Sequence, residues 1–241
     1  HQLNPSLARK ATLSLLKHTS TSTSNSLLND DPLVYLQFTL QRIPTNPSSK
    51  PYRLTIPNPI YKLDSTAGDD LPSICIFVKQ ESKQWVKEFV ASDKRLSSLV
   101  SKVMGLESLR KNHSRHKDKR ELLRTYDFFL ADDRILPMLS KALGKNFFEQ
   151  KKQPVAIKIQ RKESLKVTIE KSLKSTYMFM PSGTCMQVKA GDVGMGADKL
   201  VANFKAIVEG VVERIPKGWA NLTAINIKTA DSLALPIYFK D

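Results

Sequence analysis

The chain has 241 residues, 41% of them hydrophobic. That is apolar material for one large domain or two small ones, and it excludes global disorder. Thirty-eight Lys and Arg against 23 Asp and Glu leave a net charge of +15, which points to a polyanionic partner, nucleic acid first and an anionic membrane surface second. No apolar run approaches the roughly 18 residues needed to span a bilayer. Cys75 and Cys185 are too few for a disulfide framework or a zinc site, so a reducing compartment is the simpler expectation. The first residues lack the pattern of a secretory leader, and a start at His1 rather than Met leads us to expect a trimmed or partial chain.

Asn4 and Pro5 open a predicted helix over Asn4 to Lys17, capped by the asparagine, with Leu7, Ala11, Leu15 and Leu16 on one face. His18 to Ser26, nearly all Ser and Thr, predicts a mobile loop. Leu33 to Gln41 alternates, with Val34, Leu36, Phe38 and Leu40 on one side and Tyr35, Gln37, Thr39 and Gln41 on the other. That is a strand with one buried and one wet face. A Pro, Asn and Ser loop follows from Pro44, then a short strand at Tyr52 to Ile56, then an acidic linker at Leu63 to Asp70.

The pattern changes at Ser73 to Val78, a continuous apolar run that predicts a strand buried on both faces. Helix is expected around Gln84 to Val90, a buried strand at Leu99 to Met104, and one basic helix from Leu106 to Arg124. Tyr126 to Leu130 predicts another buried strand, Ile135 to Leu143 a helix ended by Gly144, and Pro154 to Ile159 a last strand. Alternating strands and helices imply an α/β layer with a largely parallel sheet. Beyond Gln160 the expected elements are a helix at Leu165 to Tyr177, a hairpin around Pro-Ser-Gly-Thr, an amphipathic helix at Asp198 to Arg214, and strands at Leu222 to Lys228 and Leu235 to Phe239. The simplest topology is one α+β domain interrupted by an α/β domain, with no internal repeat.

Several constellations invite chemistry. Gly191, Gly194 and Gly196 precede a helix, but their order is not the dinucleotide fingerprint, so a flexible turn is expected. Asp132 and Asp133 end a buried strand, where α/β enzymes place metal ligands; the alternative is that one of them caps the next helix. His113 and His116 sit among six Lys and Arg in the eleven residues from Arg110 to Arg120, which repel a metal and suit either a solvated face or phosphate contact. Lys145, Lys151, Lys152, Lys158, Arg161 and Lys162 form a second basic stretch, with Lys145, Lys151 and Lys152 as candidate RNA contacts, around Phe147 and Phe148, two aromatics expected in packing. Thr229 and Ser232 offer short hydroxyls in the turn between the last two strands, beside Lys228, and together with Tyr35, Gln37 and Thr39 they suggest an RNA-facing surface.

The stretch YDFFLADDRILPMLSKALGKNFFEQKKQPVAI, Tyr126 to Ile157, resembles the L-one ribosomal protein superfamily, and more closely its eukaryotic ribosome-assembly members. MPSGTCMQVKAGDVGMGADKLVANF and INIKTADSLALPIYF resemble the first domain of that family. The resemblance implies a two-domain fold: a discontinuous α+β RNA-binding domain at 1–68 and 161–241, and an inserted Rossmann-like α/β domain at 69–160. It implies a non-enzymatic protein without cofactor, metal or catalytic residue, binding precursor ribosomal RNA beside other assembly factors and ribosomal proteins in the nucleolus, with no membrane partner. The ribosomal members set a Thr-Met-Gly turn against RNA; here Thr229 matches, while Ala230 and Asp231 depart and argue for a different target. LADD, MPSGT and KAGDV favour similarity to the core-interacting component of large-subunit precursors, near the second internal transcribed spacer. The alternatives are the L-one-like subunit of the small-subunit processome, or a metal-dependent RNA-processing enzyme using Asp132 and Asp133.

Overall fold

The computed structural model describes residues 3–23, 32–44, 51–61, 71–149, 152–159, 162–230 and 232–240. The chain opens with α1 (Pro5–Thr23), β1 (Leu33–Leu40) and β2 (Tyr52–Thr55). Its middle carries β3 (Ile74–Val78), α2 (Lys83–Ser92), α3 (Lys94–Leu99), β4 (Val100–Gly105), α4 (Leu106–Asn112), α5 (His116–Thr125), β5 (Phe128–Asp132), α6 (Leu136–Leu143), α7 (Lys145–Glu149), β6 (Val155–Ile157) and α8 (Lys162–Leu173). It closes with β7 (Ser175–Met178), β8 (Cys185–Asp192), α9 (Ala197–Val212), β9 (Leu222–Lys228) and β10 (Leu235–Phe239). Two compact units result: His1–Ile60 with Leu173–Asp241, and the intervening Tyr61–Ser172. The second junction lies at Ser172 and Leu173, not at 160 and 161, because α8 groups with the inserted unit. Lys166 Nζ donates to Asp93 Oδ2 at 2.6 Å and Arg95 lies 3.9 Å from Glu170, tying α8 to the start of α3.

In the first unit an antiparallel sheet runs β10-β9-β1-β8, and a separate pair joins β2 to β7. The inward row of β1, Val34, Leu36, Phe38 and Leu40, is almost wholly removed from water. α9 packs on β8, β2 and α1, and presents Leu200, Phe204, Ile207, Val208 and Val211 as its buried stripe. Asn203 lies within that stripe and is completely buried. Its Oδ1 accepts the Asn58 N–H at 2.9 Å, and its Nδ2 donates to the carbonyls of Asn58 and Ala190 at 2.9 and 2.8 Å. A buried amide is tolerated because every one of these groups is paired.

Asn4 caps α1 through Oδ1, which accepts the N–H groups of Ser6 and Leu7. The buried face of α1 is Ala8, Thr12, Leu15 and Thr19, not the row containing Leu7, which is 44% exposed. Small residues and threonines allow close approach, since the Thr12 and Thr19 hydroxyls donate back to the Ala8 and Leu15 carbonyls at 2.7 and 2.6 Å. The helix continues to Thr23, through much of the expected loop; Ser24 to Ser26 lie outside the described residues, as do the loop 45–50 and the linker 62–70. The expected hairpin does not form either. β7 pairs with β2, while β8 pairs with β1, and the Leu40 N–H extends that ladder to the Thr184 carbonyl at 2.7 Å.

In the inserted unit a parallel sheet runs β4-β3-β5-β6. β3 and β5 are buried along their full length. Phe77 stacks on Phe129 with ring centres 5.9 Å apart, and Phe147 meets Phe129 edge-on at 5.1 Å. β4 is an edge strand with Ser101 and Lys102 exposed, and Leu99 belongs to α3. The basic helix is two helices broken at His113 to Arg115. Leu106 and Leu109 are buried in the first, Leu122 and Leu123 in the second, and no apolar residue between them could hold one straight helix against the core. α8 stops at Leu173 because Ser175–Met178 joins β2. Both cysteines are free; Cys185 is exposed, and burial pushes the Cys75 thiol up to about 12.

Asn203→Ala removes the partner of three backbone groups and is expected to cost on the order of 3 kcal/mol in urea denaturation. Asp93 is held below the ordinary carboxylate range by its hydrogen bond from Lys166, helped by the Arg95 and Leu96 N–H groups. Its contribution to stability is complete above the pKa of an unfolded aspartate and disappears as pH falls through the lowered folded value. Asp93→Asn is therefore expected to flatten the acid limb of the stability curve; an unchanged limb would remove Asp93 from the account.

Candidate nucleic-acid interface

Side chains alternate along a strand, and residues paired directly across an antiparallel ladder share a face. β1 is central, so its outward residues Tyr35, Gln37 and Thr39 gain neighbours on both sides. Lys189, Tyr35 and Lys228 lie abreast, Gln187, Gln37 and Asn226 form the next row, and Cys185, Thr39 and Ala224 the third. These three rows contain no carboxylate; Asp192 stands opposite Leu33 at the end of the strand. The side chains of Tyr35, Gln37, Thr39, Gln187, Lys189, Asn226 and Lys228 are all half-buried, and the surface beneath them is the packed core. Burial raises the pKa of the Tyr35 phenol, keeping it a neutral donor and acceptor. Amides that both donate and accept, bracketed by two ammonium groups, suit ribose, base edges and phosphate.

The other candidates are placed differently. Thr229 is only 5% exposed, and its N–H donates to Ser232 Oγ at 2.9 Å, whose hydroxyl in turn donates to the Leu233 carbonyl. These groups build the turn. Asp231 lies outside the described residues, as does Lys151. Lys145 is exposed at the start of α7, but Lys152 Nζ donates to the Leu123 and Tyr126 carbonyls at 3.3 and 3.2 Å, neutralising the C-terminal end of α5. Asp132 is 2% exposed, with Oδ1 accepting the Arg134 N–H at 3.2 Å. Among the described residues no group of three or more His, Cys, Asp or Glu is gathered tightly enough to hold a metal ion. No helix there is long and apolar enough to cross a membrane. The glycine turn is a short 3-10 segment at Val193–Met195. A Cβ on Gly191 would meet Leu200 Cδ2 and Met195 Sδ at 2.6 Å, and Gly196 has φ +81°, so both glycines serve packing and turning.

Gln187, Lys189 and Asn226 were not singled out from the sequence. The alternation of Met186, Val188 and Ala190 with Gln187 and Lys189 carries the signal, but only the pairing with β1 shows which face they join.

The family model described as the ribosomal protein L1p/L10e family matches residues 15–233. The chain belongs to this family. It is similar to two Schizosaccharomyces pombe proteins named for ribosome biogenesis. One is 32% identical over 91% of this chain and 58% of its own length, the other 28% identical over 98% and 79%. It is also similar to the mouse ribosomal L1 domain-containing protein 1, 26% identical over 98% of this chain and 52% of that protein. The chain thus spans little more than half of the first and third of these relatives. The large ribosomal subunit protein uL1 of Entamoeba histolytica is 32% identical over 51% of this chain.

Ser232→Ala removes the acceptor of the Thr229 N–H and is expected to lower stability by about 1 kcal/mol in thermal or urea unfolding. A fully stable variant with weakened RNA binding would instead make this hydroxyl a direct contact.

Proposed function

We propose that this chain is a non-enzymatic, RNA-binding factor of ribosome assembly that acts on precursor ribosomal RNA in nucleolar precursors of the large subunit, near the second internal transcribed spacer. The observation that carries the reading is the polar face of β8, β1 and β9, whose three rows from Tyr35 to Thr39 hold two lysines and no carboxylate, in a family member whose net charge is +15. Lys189 and Lys228 neutralise phosphates, and Gln37, Gln187 and Asn226 hydrogen-bond to ribose and base edges. Folded RNA is selected by shape and 2′-hydroxyl contacts as much as by sequence. The names of the fission-yeast relatives support a role in ribosome biogenesis. The altered turn at Ala230 and Asp231 supports a target other than that of the ribosomal members.

The inserted unit, with its parallel order β4-β3-β5-β6, is read as a Rossmann-like domain. Asp132 and Asp133 are assigned to the turn that follows β5, where the Asp132 carboxylate holds the Arg134 N–H. Partners are precursor RNA, other assembly factors and ribosomal proteins of the particle.

Binding to precursor RNA fragments is expected to weaken linearly in log affinity against log salt. Reversing both Lys189 and Lys228 to Glu should shallow that slope by roughly 1.4 or more, about 0.7 for each lost phosphate contact. An unchanged slope would move the phosphate contacts off this face. Crosslinking in cells should recover fragments around the second internal transcribed spacer; fragments from small-subunit precursors would relocate the factor, and no RNA at all would overturn the proposal.

A further inference from the structure

We propose that Phe239 is a base-stacking residue, a platform for one unpaired RNA base at the β10 edge of the polar sheet face. The proposal rests on the RNA-binding reading of that face and names the form of RNA it takes. Phe239 is 67% exposed although it lies within a strand of the main sheet. It pairs with Ala224, and Ala224 pairs with Thr39, so register puts its ring on the face that carries Tyr35, Gln37 and Asn226.

The ring contributes little to anchoring the hairpin. Ile237 beside it is 1% exposed and fills the core, and Tyr238 packs against Trp219 with ring centres 5.3 Å apart. The backbone at Phe239 is nevertheless fixed, since the Lys240 N–H donates to the Thr223 carbonyl at 2.8 Å. Between Phe239 and Thr39 the row holds only the methyl group of Ala224. A single exposed apolar side chain is ordinary. An aromatic on a fixed backbone, beside rows that carry two lysines and no carboxylate, is the arrangement by which proteins bind single-stranded nucleic acid, rings stacking bases while cations follow the phosphates. The lysine row lies about 13 Å along the strand from the Phe239 row, four residues at roughly 3.3 Å each, within reach of the same RNA strand.

The test compares the parent with Phe239→Ala and Phe239→Trp on two probes, a short oligouridylate and an RNA duplex of equal length. Phe239→Ala is expected to weaken oligouridylate binding about 5- to 150-fold, the range of one lost stacking contact, with an unchanged salt slope because no phosphate contact is removed. Phe239→Trp should bind at least as tightly as the parent, and duplex binding should stay within about twofold in both variants. Equal oligouridylate affinity of Phe239→Ala and the parent would overturn the stacking role while leaving the RNA-binding reading intact. Parallel loss on both probes, or failure of Trp to substitute, would also overturn it, since the residue would then act through the fold. A parent that binds neither probe would overturn stacking and RNA binding together.

Discussion

β1 is hydrogen-bonded along both edges, to β8 on one side and β9 on the other. That double pairing is the constraint on which the first unit is built. It joins β1 to β8 and β9 in one sheet, so everything between β1 and β8 must leave that sheet and return, and the stretch between β2 and β7 is free to fold as a unit of its own. It also sets the chemistry. With period-two alternation, a strand whose inner row is Val34, Leu36, Phe38 and Leu40 has no choice but to hold Tyr35, Gln37 and Thr39 outward. The strands on either side add their own amides and lysines at matching positions. A one-residue slip against either neighbour would bury lysines and expose the core, so the register and the outward polar face are specified by the same apolar side chains.

Two buried asparagines reinforce this frame at its ends. Asn203 ties α9 to the segment after β2 and to β8. Asn221 accepts the Arg42 N–H at 2.8 Å and donates to the Arg42 carbonyl at 3.2 Å, closing the end of β1 onto the start of β9. Each links segments well over a hundred residues apart, which hydrophobic burial alone would hold without fixing direction. The inserted unit has a different character. Two of its cations are engaged in structure, Lys152 at the end of α5 and Lys166 on Asp93, so its large basic count overstates the charge it can offer an anionic partner.

Strands whose pattern is local were legible in the sequence: the alternation of β1, the unbroken apolar runs of β3 and β5, and the final pair β9 and β10. The amphipathic stripe of α9 was equally plain. Properties that depend on a partner were not. Nothing in Ser175–Met178 says that it pairs with β2 rather than β8. The rotation of α1 onto Ala8, Thr12 and Thr19 depends on hydroxyls returning to their own helix, which makes a polar-looking face fit for burial. The outward row of β1 was visible as a candidate site, whereas Gln187, Lys189 and Asn226 joined it only through register. Thr229 and Ser232 have the composition of a contact surface, and the structure uses their turn to satisfy its own backbone.

The central claim is that RNA lies on the outward face of β8, β1 and β9. Ultraviolet crosslinking of the intact protein to bound precursor RNA, followed by mass spectrometry of the nucleotide-bearing peptides, tests it most directly. Adducts are expected on peptides containing Tyr35, Lys189, Lys228 or Phe239. Adducts confined to Arg110 to Arg124 of α4 and α5, with none on the sheet strands, would contradict it.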